Sequence, residues 1–366
     1  MPRGATVEFL LTGGATLFLF PLAWLLRHAV GLDDAELAAG FTTFYAAYVI
    51  NDPHFAVTYL LFYKDVRRRA FGATYGGAQQ ARFWISGLFV PLALVGTALV
   101  ALRTHSAVAL GWMIQLMFFL VGWHYVKQGF GVLTVLSARR GVRLGTRERR
   151  AVLFHCFAGW AYAWANPALP AGEFEEKGIV YRQLAHPRSV ELVAAGVLAC
   201  SVVVLVATLA SAWIRERRRL PLAPLAGLLV TVWSWTIYSS IDPVFRYLVP
   251  ALHAVQYLYF VWLLKRNEAR AGEGPPTFGR PVALQLGLLA LSALGLGFFL
   301  FRGMPTFLDA AFVPRVHGVA THEALGETPW FAAFFVIVNI HHYFMDHVVW
   351  RRENPETRWL TTADMR

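Results

Sequence analysis

The chain has 366 residues, of which 57% are hydrophobic and only 15% are charged, and its mean hydropathy is +0.48. Soluble domains contain roughly 45–50% apolar and about 25% charged residues, so this composition excludes an ordinary soluble globular protein. The net charge of +11 is spread over short clusters between apolar runs, which argues against a nucleic-acid partner. The composition predicts an all-α, polytopic transmembrane helix bundle that forms one integral-membrane domain over residues 1–366.

Ten apolar stretches have about the length of 20 residues that crosses a bilayer. In chain order they predict spans at residues 6–29, 37–63, 83–103, 106–136, 150–166, 189–213, 221–241, 243–264, 281–301 and 329–350. Basic clusters follow every even-numbered span, at residues 64–69, 139–150, 215–219, 265–266 and 351–352. Because cytoplasmic loops collect Lys and Arg, this alternation predicts that both termini are cytoplasmic.

Four of the even-numbered spans carry histidines at similar distances from these basic boundaries. His54, His124, His253 and the pair His341 and His342 lie 9 to 15 residues before the basic residue that ends their span. At about 1.5 Å per residue, their side chains lie roughly 14 to 22 Å from the cytoplasmic boundary. Ionisable groups at such depth usually face a bundle interior or a functional site, so we expect these histidines to share one site.

Each of these histidines has polar residues within about two helical turns that are able to orient its ring. The candidates are Asn51 before His54, Gln128 after His124, Gln256 after His253, and Asn339 and Asp346 on either side of His342. Neutral imidazoles bind metals, and amide or carboxylate groups behind them fix the tautomer. The pattern predicts a metal centre formed by His54, His124, His253, His341 and His342. Lys127 and Tyr257, close to His124 and His253 on the same helices, are candidates for proton donation.

Imidazole ligands suit iron, copper, zinc or nickel. Cys156 and Cys200 lie in apolar stretches without ligand spacing, which argues against an iron–sulfur cluster or a structural zinc site. An all-histidine site with open coordination positions in an apolar cavity favours non-haem iron with O2 as co-substrate. The alternative for any one of these histidines is a hydrogen-bonded packing role.

Four short segments resemble, in content and order, the histidine segments of the bacterial Brp and Blh family of membrane carotene dioxygenases. They are DPHF around His54, WHYVKQGFG around His124, HAVQY around His253 and HHYFMD around His341. The HxxxH and HxxHH boxes of membrane desaturases are absent. The resemblance implies an iron- and O2-dependent oxygenase of the bacterial cytoplasmic membrane. Its substrate would be carotenoid-like or another lipophilic small molecule, and the need for an electron donor stays open.

Two other functions are compatible with buried histidines. A proton-coupled transporter would use His, Asp and Lys groups as a relay, although no internal repeat is visible in the sequence. A haem protein would use imidazoles from two helices as axial ligands. A Soret band in the purified protein would separate haem from non-haem iron.

Overall fold

Helices make up nearly all of the structure, which is a computed structural model that describes residues 3–166, 172–183, 186–237, 243–316, 319–320 and 325–361. The all-α prediction is therefore confirmed. In chain order the helices are α1 (Arg3–Phe9), α2 (Thr16–Val30), α3 (Leu32–Ala47), α4 (Asn51–Tyr63), α5 (Val66–Phe71), α6 (Gly77–Trp84), α7 (Val90–Arg103), α8 (Ala107–Arg139), α9 (Thr146–Ala165), α10 (Arg188–Ala210), α11 (Leu222–Thr231), α12 (Pro243–Glu273), α13 (Val282–Phe298), α14 (Met304–Phe312), α15 (Pro329–Val349) and α16 (Arg358–Thr361). Two antiparallel pairs complete the described chain, β1 (Gly172–Glu176) with β2 (Ile179–Gln183) and β3 (Arg315–Val316) with β4 (Val319–Ala320).

Short π-helical segments lengthen several of these helices. Ile85–Phe89 joins α6 to α7, Phe299–Gly303 joins α13 to α14, and Ser211–Arg215 extends α10. Because the backbone continues through these segments, the chain forms unbroken helical runs over Gly77–Arg103, Arg188–Arg215 and Val282–Phe312. Each run is long enough to cross a bilayer.

Among the described residues, six helices are long and apolar enough to cross a membrane. They are Gly77–Arg103, Ala107–Arg139, Arg188–Arg215, Tyr247–Glu273, Val282–Phe312 and Pro329–Val349. A seventh span results if Ala5–Gly14 and Thr16–Val30, which meet at an angle of 53°, count as one. The structure thus supports a membrane protein with six or seven spans, where the apolar stretches predict ten.

The difference arises from stretches that are apolar but broken, short or charged. The predicted span 37–63 is divided into α3 and α4 by a turn at residues 48–50. The predicted span 221–241 contains a shorter apolar helix, Leu222–Ile237. The predicted span 150–166 lies in α9, whose first turns carry Glu148 and Arg149. The turn at residues 48–50 is an interruption that hydropathy does not register.

The basic helix ends that the loop charges assign to the cytoplasm are joined by ion pairs at one end of the bundle. The nitrogen–oxygen distances are 3.1 Å for Lys64 and Glu268, 3.2 Å for Arg69 and Glu356, 3.7 Å for Arg82 and Glu353, 2.7 Å for Arg140 and Glu8, and 2.8 Å for Arg218 and Glu148. These contacts group the helix ends as the charge pattern requires. The cytoplasmic placement of the termini stays a prediction.

The four helices that carry the deep histidines lie on the inside of the bundle. In α15, 72% of the most apolar stretch is buried, and in the run Tyr247–Glu273 the share is 50%, whereas in Val282–Phe312 it is 17%. In α4, nine of the 13 residues are buried. Helix α15 packs against both α4 and α8, and α12 packs against α4. The sequence therefore places its histidines on the helices with the least lipid contact.

Candidate metal centre

Four imidazoles meet inside the bundle, one from each of four helices. His54 comes from α4, His124 from α8, His253 from α12 and His342 from α15. Each offers a ring nitrogen, and these four atoms all lie within 4.8 Å of one another. The residues are 0 to 3% exposed, so the rings are almost completely enclosed by protein. This is the convergence that the common depth of the histidines predicts.

The rings pack edge to face. The centroids are 4.5 Å apart for His54 and His342, 4.8 Å for His124 and His253, 4.9 Å for His124 and His342, and 5.1 Å for His54 and His253, with interplanar angles of 71 to 89°. Stacked faces would shield the nitrogens from a common point. The edge-to-face arrangement instead leaves nitrogen atoms at the centre of the group.

The start of α4 places His54 at the cluster. The helix begins at Asn51, so Pro53 and His54 both lie in its first turn. Proline is tolerated there because the first turn has no intrahelical acceptor for its missing N–H. The backbone N–H of His54 donates to the Ile50 carbonyl at 3.2 Å. Pro53 therefore lies where α4 begins and does not bend a continuous helix. His54 is held in the first turn of α4.

Most ring nitrogens of the cluster lack hydrogen-bond partners. Both nitrogens of His54, both of His342 and Nδ1 of His253 have none within the part of the chain that the structure describes. The Nε2 atoms of His124 and His253 lie 2.9 Å apart. A buried polar atom without a partner costs about 1 to 3 kcal/mol, so several together form an expensive arrangement. A bound metal ion would satisfy the inward-facing lone pairs, and the donor set therefore fits a metal.

Asp346, which lies on α15 like His342, contacts the cluster at His124 of α8. Its Oδ2 lies 3.5 Å from Nδ1 of His124, while Oδ1 accepts a hydrogen bond from the Trp350 indole. A carboxylate behind an imidazole fixes the tautomer and strengthens the ring as a ligand. The sequence predicts Asp346 as an orienting group on the face of His342, and the structure places it against His124 instead.

The two glutamines that the sequence assigns to ring orientation connect helices. Gln128 donates to the Gln256 side-chain carbonyl at 2.9 Å and to the His253 backbone carbonyl at 3.3 Å. Gln256 in turn donates to the Thr12 carbonyl at 2.8 Å, next to the bend between α1 and α2. Neither amide therefore hydrogen-bonds an imidazole of the cluster. Their bonds hold α8, α12 and the first bent helix together.

The two asparagines act through other contacts than the predicted ones. Asn339 donates to the Phe335 carbonyl on its own helix at 2.7 Å and accepts from the Tyr343 hydroxyl at 3.2 Å. The backbone of Asn51 is close to the His54 ring but does not form a hydrogen bond with it. Asn51 also lines the adjacent cavity. The interpretation that the Asn51 and Asn339 side chains orient rings is therefore replaced by backbone and helix contacts.

His341 lies outside the group of four, although the sequence predicts it as a fifth ligand. Its Nε2 is 2.9 Å from the Ser86 carbonyl oxygen and its Nδ1 is 3.0 Å from the Tyr59 hydroxyl. Consecutive residues of an α-helix point about 100° apart, so adjacent histidines face different neighbours. Both nitrogens of His341 are engaged in bonds that tie α15 to α4 and to the segment before α7.

The two predicted proton donors differ in position. Tyr257 lies beside the cluster, with its ring centroid 4.7 Å from that of His54 and its hydroxyl 2.7 Å from Thr58 Oγ1. Lys127 lies with its ammonium 5.5 Å from the centre of the Phe157 ring on α9. The structure therefore brings Tyr257 to the four histidines and places Lys127 against another helix.

Two tyrosines next to the cluster were not singled out from the sequence. The Tyr343 ring stacks on His124 at 4.8 Å and 26°, and the Tyr125 ring lies 4.5 Å from His253. Each immediately follows a cluster histidine in sequence but contacts a histidine of a different helix. Spacing along one helix carries no signal for such contacts.

A cavity of about 1070 Å³ reaches the cluster, and His54 and His253 form part of its wall. This volume is at the upper end of the range of roughly 300 to 1,000 Å³ typical of ligand sites. Much of the lining is aromatic, including Phe118, Phe119, Trp160, Trp164, Phe301 and Phe335. Charged residues also contribute, namely Asp52, Glu175, Glu176, Lys177 and Arg302. The arrangement can hold a large, mainly apolar molecule beside the histidines.

The chain shows no significant match to any family model, curated protein or solved structure with which it was compared.

Proposed function

We propose that His54, His124, His253 and His342 bind a non-haem iron ion, and that the protein is an O2-dependent oxygenase of a lipophilic substrate in the membrane. The observation that carries this proposal is the convergence of four buried imidazoles, most of their nitrogens without partners, at the wall of a large aromatic cavity. Most buried imidazoles that serve only for packing have hydrogen-bond partners, as His341 has.

The donor set supports a redox-active metal with room for a further ligand. Four histidine nitrogens leave positions open on a six-coordinate ion, and open positions on a histidine-rich site are typical of iron centres that use O2. Iron bound there would supply the activation of O2. The protein residues would hold the ion, exclude water and position the substrate. His54 and His253 face both the cluster and the cavity, so an apolar molecule in the cavity lies next to the ligands.

The resemblance of the histidine segments to the Brp and Blh family supports a carotenoid-like or similar lipid substrate. It also supports a location in a bacterial cytoplasmic membrane, and the basic helix ends support cytoplasmic termini. The aromatic lining of the cavity suits extended hydrocarbon chains, because aromatic rings bury large apolar areas. Tyr257, whose hydroxyl is near both Thr58 and Asp346, is the proposed proton donor.

The other two functions have less support. A haem requires its macrocycle to surround the metal in a plane, and four imidazoles within 4.8 Å of one another occupy that space. A proton relay through Lys127 lacks a contact from this ammonium to the cluster, because its contact is with the Phe157 ring. Neither arrangement explains a large cavity that ends at four histidines.

Metal analysis of the purified protein tests the proposal. We expect about one iron per chain, and a loss of at least roughly tenfold in occupancy for His54→Ala, His124→Ala, His253→Ala or His342→Ala. His341→Ala is the matched control, since its imidazole lies on the same helix and bonds Ser86 and Tyr59. O2 consumption with carotenoids and other lipids, with products followed by mass spectrometry, then tests the reaction. A folded variant without all four histidines that keeps its metal would contradict the proposal, and so would a Soret band.

A further inference from the structure

A buried ion pair at the cavity wall has no role in the metal centre. The Asp52 carboxylate and the Arg302 guanidinium both line the cavity, and their side chains are 5% and 20% exposed. Asp52 Oδ2 and Arg302 Nε lie 3.9 Å apart, which is too far for a direct hydrogen bond. Neither atom has a hydrogen-bond partner elsewhere in the described segments. Two charged, nearly buried groups thus face each other across a gap that is too wide for a hydrogen bond and too narrow for another atom.

Packing holds both members of the pair in place. The guanidinium carbon of Arg302 lies 4.6 Å from the ring centre of Tyr48, 5.0 Å from that of Phe44 and 5.6 Å from that of Phe331. These cation–π contacts stabilise the charge where no second carboxylate is paired with it. On the other side, the backbone of Asp52 is in close contact with Gly297 of α13. The gap is therefore built into the packing of two helices.

The two atoms determine which group can hydrogen-bond to both of them from a position beside the line that joins them, because 3.9 Å leaves no room for an oxygen atom in between. Nε–H of Arg302 is a donor, and the carboxylate oxygen of Asp52 is an acceptor. A hydroxyl accepts from the first and donates to the second, so it satisfies both. A carbonyl or ether only accepts, a carboxylate is repelled by Asp52, and an ammonium group is repelled by Arg302. We propose that Asp52 and Arg302 bind the hydroxyl group of a lipid alcohol whose apolar chain occupies the cavity.

The position of the pair relates this hydroxyl to the histidines. Asp52 precedes His54 by two residues in α4, which is about 3 Å along the helix axis. Both residues line the same cavity. The hydroxyl of the bound lipid therefore lies in the cavity that two of the four histidines, His54 and His253, also line. That the lipid alcohol is the substrate rests on the proposed function, whereas its binding does not.

The test measures hydroxyl preference in lipid nanodiscs. The probe is a 16-carbon hydrocarbon with a photoactivatable diazirine, and the competitors are two matched pairs, hexadecan-1-ol with hexadecane and phytanol with phytane. For at least one pair we expect the alcohol to block labelling at about tenfold lower mole fraction than its hydrocarbon, because hydrogen bonds to charged groups are strong. Equal competition within both pairs would overturn the proposal.

A double variant separates hydroxyl binding from a purely structural ion pair. In Asp52→Leu with Arg302→Met, apolar groups of similar size replace both charges, a change that buried pairs often tolerate. We expect the alcohol and its hydrocarbon to block labelling at mole fractions that differ by no more than about twofold. Labelling by the hydrocarbon probe should be unchanged. If the double variant does not fold, Asp52→Asn is expected to reduce the preference at least threefold. A preference that survives in the folded variants would show that the pair only joins two helices.

Phe301→Leu serves as the control, because Phe301 lines the same cavity without a polar group. It should shift the competition by an alcohol and by its hydrocarbon equally. Iron content and O2 consumption are measured on the same preparations. A preparation that prefers alcohols but binds no iron would refute the proposed function and leave the hydroxyl site standing. A preparation with iron and no preference would refute the hydroxyl site alone.

Discussion

Asp346 shows how a charged side chain can be retained inside the bundle. Its two oxygens have separate partners, His124 Nδ1 on one side and the Trp350 indole on the other. The Tyr257 hydroxyl also interacts with this carboxylate. Buried charges are costly unless they are hydrogen-bonded, and these contacts supply the compensation. The carboxylate thereby lies beside Nδ1 of His124, while Nε2 of the same ring faces His253.

We expect Asp346→Asn to weaken iron binding by about 10- to 100-fold, because the amide keeps the shape of the carboxylate but not its charge. The measurement is competition with a chromogenic chelator on the purified protein. Asn339→Leu is the control, since Asn339 lies on the same helix and, among the described residues, its side chain bonds the Phe335 carbonyl and the Tyr343 hydroxyl. Equal iron affinities of Asp346→Asn and the original protein would show that the carboxylate does not strengthen metal binding by His124.

The sequence identifies which helices supply histidines better than it identifies their contacts. The number of residues between a histidine and the basic end of its span gives its depth in the membrane, because the rise per residue of a helix is constant. This depth identifies His54, His124 and His253 as residues that can meet. It does not distinguish His341 from His342, which differ by one residue in depth but point to different neighbours. The Asp346 contact to His124 joins residues far apart in sequence. Spacing within one helix contains no information about such a contact.

The contact between α4 and α13 determines where His54 lies. A Cβ atom on Gly297 would be 2.8 Å from the carbonyl carbon of Asp52 and 2.9 Å from its oxygen. Because both atoms belong to the backbone, no side-chain rotation relieves that clash. Glycine at this position therefore allows α4 to approach α13 closely, and it sets the position of the first turn of α4, which carries His54.

Gly297→Ala is expected to destabilise the protein by about 1 to 3 kcal/mol and to lower iron occupancy, because α4 must move away from α13. Thermal unfolding in detergent and metal analysis are the measurements. Gly295→Ala on the same helix is the control, since a Cβ there meets no atom within 4 Å. Alanine favours helices over glycine by up to about 1 kcal/mol, so this variant should be unchanged or slightly more stable. Equal losses in both variants would contradict this role of Gly297.

Helix breaks explain why apolar length predicts membrane helices only in part. Residues 37–63 read as one apolar run, yet the backbone turns at residues 48–50 and begins α4 anew. In the apolar stretch 6–29, Gly13 has a φ of +126°, a value that L-residues rarely adopt, and the helix bends there. Hydropathy averages over such single positions. The helices are thus predictable from the sequence, whereas their interruptions depend on the residues packed around them.

The ion pairs at one end of the bundle relate the charge pattern to the whole molecule. Basic residues after α4, α8 and α10 and within α5 pair with acidic residues near the ends of other helices. An exposed pair such as Lys64 with Glu268 contributes only about 0 to 1 kcal/mol. Their importance is topological, because they require these helix ends to lie on the same side of the membrane.

This grouping predicts which loops share a side of the membrane. With Cys156→Ala and Cys200→Ser as background, Gly76→Cys and Gly274→Cys should react with an impermeant maleimide only from the cytoplasmic side. Thr104→Cys, in the loop between α7 and α8, should react only from the opposite side. Neither glycine has an atom within 4 Å of a built Cβ, so both substitutions are sterically mild. Reaction of Gly76→Cys and Thr104→Cys from the same side would refute this arrangement.

The four histidines span residues 54 to 342, so the centre joins the first sixth of the chain to its last helices. Domains are made from the N-terminus onward, and contacts distant in sequence form late. During synthesis, α4, α8 and α12 enter the membrane before α15 exists, and until then their imidazoles lack the fourth ligand and Asp346. Completion of the four-histidine cluster therefore coincides with insertion of α15, so that, under the proposed function, binding of a metal would mark a chain whose membrane assembly is finished.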